Sequence, residues 1–561
     1  MKKLRIMIET LTLTLAPRAG HPYVTVCQPY RFFRLDDKHQ NRFSFRMNLR
    51  PWFCLLGFAL GHPLAIAAPA FTQARTVFPL LTDDKPRPVL EHTLVLPEKR
   101  TITALRYELA GDDDFFASLQ PDLPGQWNAV TREKNQIIFQ GNHTLESGTH
   151  RFRLLGSLKP GTDLLAVGQV TCLSVTFADG SQAVPAAGAL PDLRPAYPIH
   201  QRGQFSCHTF RIPAVARAND GSLLAVYDMR YLSARDLQGH MDIGLSRSTD
   251  GGQTWTHPVP IMDMGEHGGK PQSENGCSDP NIIVDPHTGE IMVSAVWTHG
   301  KPGTHQWTGK GSEPGHDLHV SSQFLMVHSR DHGITWTTPE NWTARLKDPA
   351  WHLFAPAPGN GIALRDGTLV MPTQGRDAQG VPFSNIISSK DHGKTWIVST
   401  HARSQTTECA VAELSDGSLL LNMRDNRNRG DSSQRNGRAM AVTRDLGQTW
   451  KLHPADHAAL PEPVCMASMI SHQLADGRRI LIFSNPRDKS ARKCMTLQVS
   501  FDGGVTWPEE HHLLLDQPGA MYSSLVMVDD HNVGILYESS QADMVFQKIP
   551  LAALASPRRN P

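Results

Sequence analysis

Beyond residue 200, three arginines, two glutamates and a tyrosine stand at matching distances from turn signals. Arg211 lies ten residues before Gly221 and Arg230 nine after it. Glu408 lies nine before Gly417 and Arg424 seven after, while Tyr522 and Glu538 bracket the turn Asp529-Asp530-His531-Asn532. A guanidinium offers paired donors in a planar fork and suits a carboxylate. A phenol beside a carboxylate suits nucleophilic or acid–base work. Such groups act together only if they meet. In an antiparallel hairpin the start of the first strand and the end of the second lie at one end, opposite the turn. The spacing therefore predicts that these six side chains converge on one face.

The elements that must hold them are repeated hairpins. Apolar runs follow turn signals at Asn219-Asp220-Gly221, Pro286-His287-Thr288-Gly289, Arg365-Asp366-Gly367, Ser415-Asp416-Gly417, Ala475-Asp476-Gly477 and Asp529 to Asn532. Between consecutive runs lie five copies of a second pattern, Asp followed by Gly, Thr and Trp, ending at Trp255, Trp336, Trp396, Trp450 and Trp507. Its Asp accepts hydrogen bonds from turn amides, Gly supplies a positive φ, Thr opens the return strand and Trp packs beneath. These aspartate turns are fold devices and carry no chemistry of their own. Two hairpins per unit make a four-stranded sheet, and six units predict an all-β, six-bladed propeller over 196–555. The last unit lacks its aspartate turn, so an early strand is expected to close the ring. Upstream, β-rich runs at 93–96, 137–139, 150–155 and 173–177 predict a small β-sandwich over 77–185. The Pro/Ala-rich stretch 186–195 reads as a linker.

Thr209-Phe210-Arg211-Ile212-Pro213 resembles the Phe/Tyr-Arg-Ile-Pro motif of sialidases (neuraminidases). With the five aspartate turns, or Asp-box repeats, the stretch from about 196 to 550 is similar to the bacterial exo-sialidases of the six-bladed propeller family. The segment 77–185 more weakly resembles the carbohydrate-binding-like β-domain attached to some of them. The resemblance implies a retaining exo-α-sialidase that hydrolyses terminal sialic acid from glycoproteins, glycolipids or oligosaccharides through a tyrosyl-enzyme intermediate. A trans-sialidase, including an intramolecular one, and a non-catalytic sialic-acid-binding propeller are the alternatives.

Carried over by motif, the resemblance implies an arginine triad of Arg211, Arg424 and Arg492 for the substrate carboxylate. Arg492 follows Ser484-Asn485-Pro486 at the family's spacing, whereas Arg487 stands closer to it. Tyr522 matches the nucleophile, Glu408 its activating carboxylate and Asp236 the general acid/base. Arg230 matches an arginine near the sugar's O4, Asp279 an aspartate near O4 and the N-acetyl group, and Glu538 the carboxylate that holds Arg211. Trp297 is expected either to line a pocket for the acetyl methyl or to belong to the core.

Composition narrows the field further. Lys+Arg 55 against Asp+Glu 54 gives a net charge of +1, which argues against a nucleic-acid partner bound through a basic face. No run of eighteen apolar residues exists to span a membrane. Translation is expected to begin at Met47, with 1–46 a non-native or dispensable extension. Residues 47–70 read as a signal peptide ending at Ala65-Ile66-Ala67 or Ala68-Pro69-Ala70, so the protein is expected to be exported, periplasmic or secreted. Removing Cys27 and Cys54 leaves six of eight cysteines, read as buried small side chains. Among 27 histidines there is no His-Glu-x-x-His, and His240, His267, His299 and His305 lack ligand spacing. No metal or cofactor is expected.

Overall fold

The computed structural model describes residues 68–112, 114–133, 135–299 and 312–557. The extension at 1–46 and nearly all of the expected leader lie outside the described residues.

The first domain is two antiparallel sheets packed face to face. One runs Ala70–Ala74, Arg87–Leu96, Gly148–Leu158, Phe116–Pro121, and the other Gln182–Ala183, Gly168–Phe177, Arg100–Gly111, Gln136–Leu145, Asn128–Glu133. Alternation, reset by a register shift opposite Arg106 and Tyr107, puts Val170, Cys172, Val175 and Phe177 of one strand into a shared core with Leu94, Leu105, Tyr107 and Phe152. The strand Ala70–Ala74 pairs with Glu91 to Val95, so the sandwich starts before residue 77. Leu80–Leu81 leaves the sandwich and pairs in parallel with Pro195 and Ala196 of the propeller.

Six four-stranded blades follow. Their inner hairpins are Thr209–Arg217 with Leu223–Arg230, Asn275–Val284 with Ile291–His299, and Leu353–Pro356 with Leu369–Arg376 in blades 1 to 3. Blades 4 to 6 begin Thr406–Glu413 with Leu419–Asp425, Ser468–Gln473 with Arg479–Pro486, and Ser523–Asp529 with Asn532–Tyr537. The ring closes as the missing aspartate turn suggests. Pro195–His200, from the start of the propeller, pairs with Met544–Pro550 as the outer strand of blade 6. Second strands are sandwiched between neighbouring blades, which is why Leu223–Arg230 is buried along its whole length.

Each aspartate turn is satisfied from within itself. Asp391 accepts the Ser389 hydroxyl at 2.8 Å, the Thr395 amide at 2.9 Å and the Thr395 hydroxyl at 2.6 Å. The indole N–H of Trp396 donates to the Gly393 carbonyl at 3.1 Å. Trp450 departs from this and donates instead to Thr400, in the blade 3 to 4 connection, at 3.2 Å.

Candidate active site

The inner strands of blades 1, 2 and 4 share an irregularity. Pairing slips between Arg211 and Ala214, between Ser278 and Asn281, and between Thr406 and Cys409. A bulge inserts a residue into one strand and re-aims its side chain. Here the three bulges bring Arg211, Asp279 and Glu408 to the wall of one cavity of about 710 Å3. Pro213 and Pro280 stand in two of the gaps, where the lack of an N–H costs no ladder bond. Ile212 and Asp279 hold φ of 59° and 60°, a strain of roughly 1–3 kcal/mol for each non-glycine residue. At Ile212 the amide is held by Glu538 Oε1 at 2.9 Å.

Strand ends supply the rest of the wall. Asp236 comes from the loop after Leu223–Arg230, Arg424 from the end of Leu419–Asp425, Arg492 from the loop after Arg479–Pro486, and Tyr522 from the residue before Ser523–Asp529. The Tyr522 carbonyl accepts the Glu538 amide at 3.0 Å, placing both where the hairpin register predicts.

Tyr522 is the hub. Its hydroxyl donates to Glu408 Oε1, and Arg424 Nη1 reaches both Glu408 Oε2 at 2.5 Å and the tyrosine oxygen at 3.0 Å. The guanidinium carbons of Arg211 and Arg492 lie 5.4 Å and 5.6 Å from the tyrosine ring centre. Burial and the neighbouring Glu408 charge push the phenol well above its ordinary value, against the pull of Arg424 and Arg492. The resting phenol is therefore neutral.

Arg211 is clamped by Glu538 through Nε at 3.2 Å and Nη2 at 3.1 Å, and its Nη1 meets Asp236 at 3.2 Å. Burial opposes its charge, but Glu538 and Asp236 outweigh it and raise the guanidinium above its usual range. Arg492 donates to the Val464 carbonyl at 3.1 Å. Arg487 instead turns away to Glu509, at 3.1 Å, so Arg492 and not Arg487 stands at the cavity wall. Burial first, then the charges of Glu408, Asp228 and Asp236, push Asp279 well above the carboxylate range.

Arg230 differs from expectation, and Trp297 takes the core place of its two expected ones. Arg230 is 1% exposed and does not line the cavity; it binds Asp228 through Nε and Nη2 at 3.1 and 2.8 Å, the Ala234 carbonyl at 2.9 Å and Asp236 at 2.7 Å. Its place is behind Asp236, with its donors spent on protein groups. Trp297 is fully buried in the core shared by blades 1 and 2, with Ala214, Val226, Cys277 and Val293, and does not line the cavity. Its strand position faces inward between the blades, where apolar area is best hidden from water. Of the six cysteines beyond the leader, five are buried and Cys494 is partly so; none is disulfide-bonded.

Sequence reasoning missed the support behind these groups. Asp228 accepts from Arg230 and from the Ser278 hydroxyl at 2.6 Å and the Asp279 amide at 3.1 Å, tying blade 1 to blade 2. Glu462, fully buried, pairs with Arg438 at 2.5 Å and accepts the Asp425 amide and the Asn428 side chain, each at 2.8 Å. Arg438 also donates to the Cys465 carbonyl at 2.6 Å. The pair thus holds Arg424 through its neighbour Asp425, and Arg492 through the Val464–Cys465 backbone. The one sequence signal was a glutamate fixed between Pro461 and Pro463.

As potential metal ligands, His240, Asp242 and Asp263 bring donor atoms within 4.8 Å of one another, outside the cavity lining. Asp242 accepts the Tyr231 hydroxyl at 2.7 Å, and burial with the Asp263 charge pushes it up to about 7.

Residues 221–535 match the family model described as a BNR repeat-like domain. A sialidase from Bacteroides fragilis is 44% identical over 428 residues, which cover 75% of this chain and 77% of that protein. The chain belongs to the bacterial exo-sialidases. This sialidase is also similar to one from Micromonospora viridifaciens, 32% identical over 388 residues, 65% of this chain and 56% of that one. Among solved structures, the Hadza microbial sialidase Hz136 superposes with a TM-score of 0.79 at 34% identity, covering 86% of this chain and 100% of that one. The family is one of glycoside hydrolases, and the polar cavity at the propeller axis is where this member's family motifs meet.

Proposed function

We propose that this sialidase releases terminal α-linked sialic acid from glycoproteins, glycolipids or oligosaccharides with retention of configuration, through a covalent intermediate on Tyr522. The observation that carries the reading is the Tyr522 hydroxyl donating to Glu408 amid three arginines. Sialic acid bears its carboxylate on the anomeric carbon, so an anionic nucleophile would meet repulsion there. A neutral phenol avoids it. Arg211, Arg424 and Arg492 bind the carboxylate. Tyr522 attacks the anomeric carbon as its proton passes to Glu408, while protonated Asp236 gives its proton to the leaving glycosidic oxygen and the C–O bond breaks. Water then attacks the same carbon and gives its proton to Asp236, the bond from that carbon to the Tyr522 oxygen breaks, and Glu408 returns the proton to the phenolate.

The resting contact of Asp236 with Arg211 and Arg230 gives the first step an order. An arriving sialic acid carboxylate competes with Asp236 for Arg211. Asp279, on the cavity wall, faces O4 or the N-acetyl group of the bound sugar. The chain acts after export, with the leader cut after Ala67 or Ala70, next to the first strand at Ala70–Ala74.

Hydrolysis of a fluorogenic sialoside by the wild type, Tyr522→Phe and Asp236→Ala tests the reading. The wild type turns over and both variants lose roughly 10²-fold or more in kcat. An inactive wild type, or full activity in both variants, overturns it. Product mass separates free sialic acid from an anhydro-sugar or a transferred product.

A further inference from the structure

The blade that carries Tyr522 and Glu538 is the one without an aspartate turn. Its outer strand, Pro195–His200, comes from the start of the propeller, so no chain runs from its third strand to its fourth. Its edge is held from outside. Leu80–Leu81 of the first domain adds a fifth strand to that sheet, in parallel with Pro195 and Ala196. The Leu80 amide donates to the Arg194 carbonyl at 2.9 Å, and the Thr82 amide to the Ala196 carbonyl at 3.0 Å.

Successive side chains of an extended strand point to opposite sides. Leu80 and Leu81 are each 1% exposed, yet they enter different cores. Leu80 joins the sandwich with Val89 and Leu105, while Leu81 joins the core of blades 5 and 6 with Leu515, Ala520 and Tyr537. Ala520 stands two residues before Tyr522, and Tyr537 one before Glu538. A second contact reaches the same loop. The Val77 carbonyl accepts the amide of Gln517, an exposed residue, at 2.7 Å. The Gln517 carbonyl in turn accepts the Cys494 amide at 3.3 Å, and the Ala520 amide donates to the Arg492 carbonyl at 3.2 Å. Where the turn begins, Asp516 accepts the Ser539 hydroxyl at 2.6 Å and the Ser540 amide at 2.8 Å. One turn, 516–520, therefore sets the backbone beside Tyr522, Arg492 and Glu538, and the first domain holds it through Val77 and Leu81.

We propose that Leu81, together with the Val77 carbonyl, positions the catalytic groups: by holding the 516–520 turn, the first domain keeps Tyr522 and Arg492 in register. Neither residue lines the cavity, so the effect is carried by backbone placement. A displacement of about 1 Å at a reacting group is enough to cost a large factor in rate. The inference rests on the hydrolase reading above, and it gives the sandwich a part in the reaction itself.

The test uses the full chain and sets two equal truncations against each other. Leu80→Ala and Leu81→Ala remove the same atoms from neighbouring positions, and both should lower the melting temperature. The kcat and KM for a fluorogenic sialoside, and the inhibition constant of free sialic acid, are then measured well below the lower of the two melting temperatures. Leu81→Ala should lower kcat about tenfold as Tyr522 leaves its attack position, and raise KM and the inhibition constant about threefold as Arg492 shifts. Leu80→Ala should leave all three within about twofold of wild type. Leu81→Met, which nearly keeps the volume, should restore kcat. Leu81→Val should lower kcat about threefold, so the comparison stands even where Leu81→Ala does not fold. Kinetic constants alike in the Leu80 and Leu81 variants confine the segment to stability and overturn the inference, with the hydrolase reading left standing. A wild type that cleaves no sialoside overturns both.

Discussion

Asp391 and Glu408 are acidic side chains seventeen positions apart in adjoining blades, and they are satisfied in opposite ways. On the turn side of the propeller, every partner of Asp391 lies within four residues of it. On the axial side, Glu408 takes a proton donor from Tyr522, 114 residues away, and Glu538 clamps Arg211 across 327 residues. Local partners make a carboxylate inert and strongly acidic. Hydrogen bonds from Thr335, Thr395 and Thr449 lead the causes that draw Asp331, Asp391 and Asp445 down to about 2. Distant partners leave groups whose protonation depends on what binds between them. Burial and neighbouring charge push Tyr522 and Asp279 upward, and a substrate changes both conditions. Stability is invested on one side and reactivity on the other.

Glu408→Gln should give the largest effect, because it removes the base and leaves the phenol in place. We expect kcat to fall by about 10²–10⁴-fold. Residual turnover should rise with pH, since the phenol must then ionise unaided. A loss in a melting scan with turnover intact would put Glu408 on the structural side of the comparison.

Glu462→Gln probes the boundary between the two kinds of site. Removing the charge leaves Arg438 buried without its counter-ion, which costs about 3–5 kcal/mol of stability. Because the same carboxylate fixes the backbone beside Arg424 and Arg492, KM should rise about tenfold with a smaller change in kcat. Stability lost with KM unchanged would confine the pair to folding.

Asp391→Asn should give the smallest effect on chemistry. Its melting temperature falls at neutral pH, while kcat/KM on a fluorogenic sialoside stays within about twofold of wild type. The pH dependence follows from depressed acidities. The stability that Asp331, Asp391 and Asp445 add is present above their ordinary 3.8 and is lost as the pH falls toward about 2. Acid melting should therefore steepen in that window for the wild type and less so for Asp391→Asn.

Hairpin arithmetic made much of the axial face legible. Arg211, Glu408, Arg424, Tyr522 and Glu538 could be set on one side of the propeller because antiparallel register ties distance from a turn to position along a blade. Asp228, Arg438 and Glu462 could not, since each acts through residues on other strands and loops whose approach no spacing encodes. Trp297 shows the converse failure. A strand-end tryptophan near a site reads the same whether it faces the cavity or the neighbouring blade, and only packing between blades 1 and 2 decided it.

What the sequence by itself determined is therefore what repeats or lies within one hairpin: six blades, self-satisfied aspartate turns, and the end of each blade at which polar side chains gather. The tertiary structure alone decided which side chains share charge. It set Arg230 behind Asp236, and Arg492 and not Arg487 beside Tyr522. The reason is physical. Hydrogen bonds within a turn depend on a few dihedral angles, whereas ion pairs across a ring depend on closure of all six blades at once.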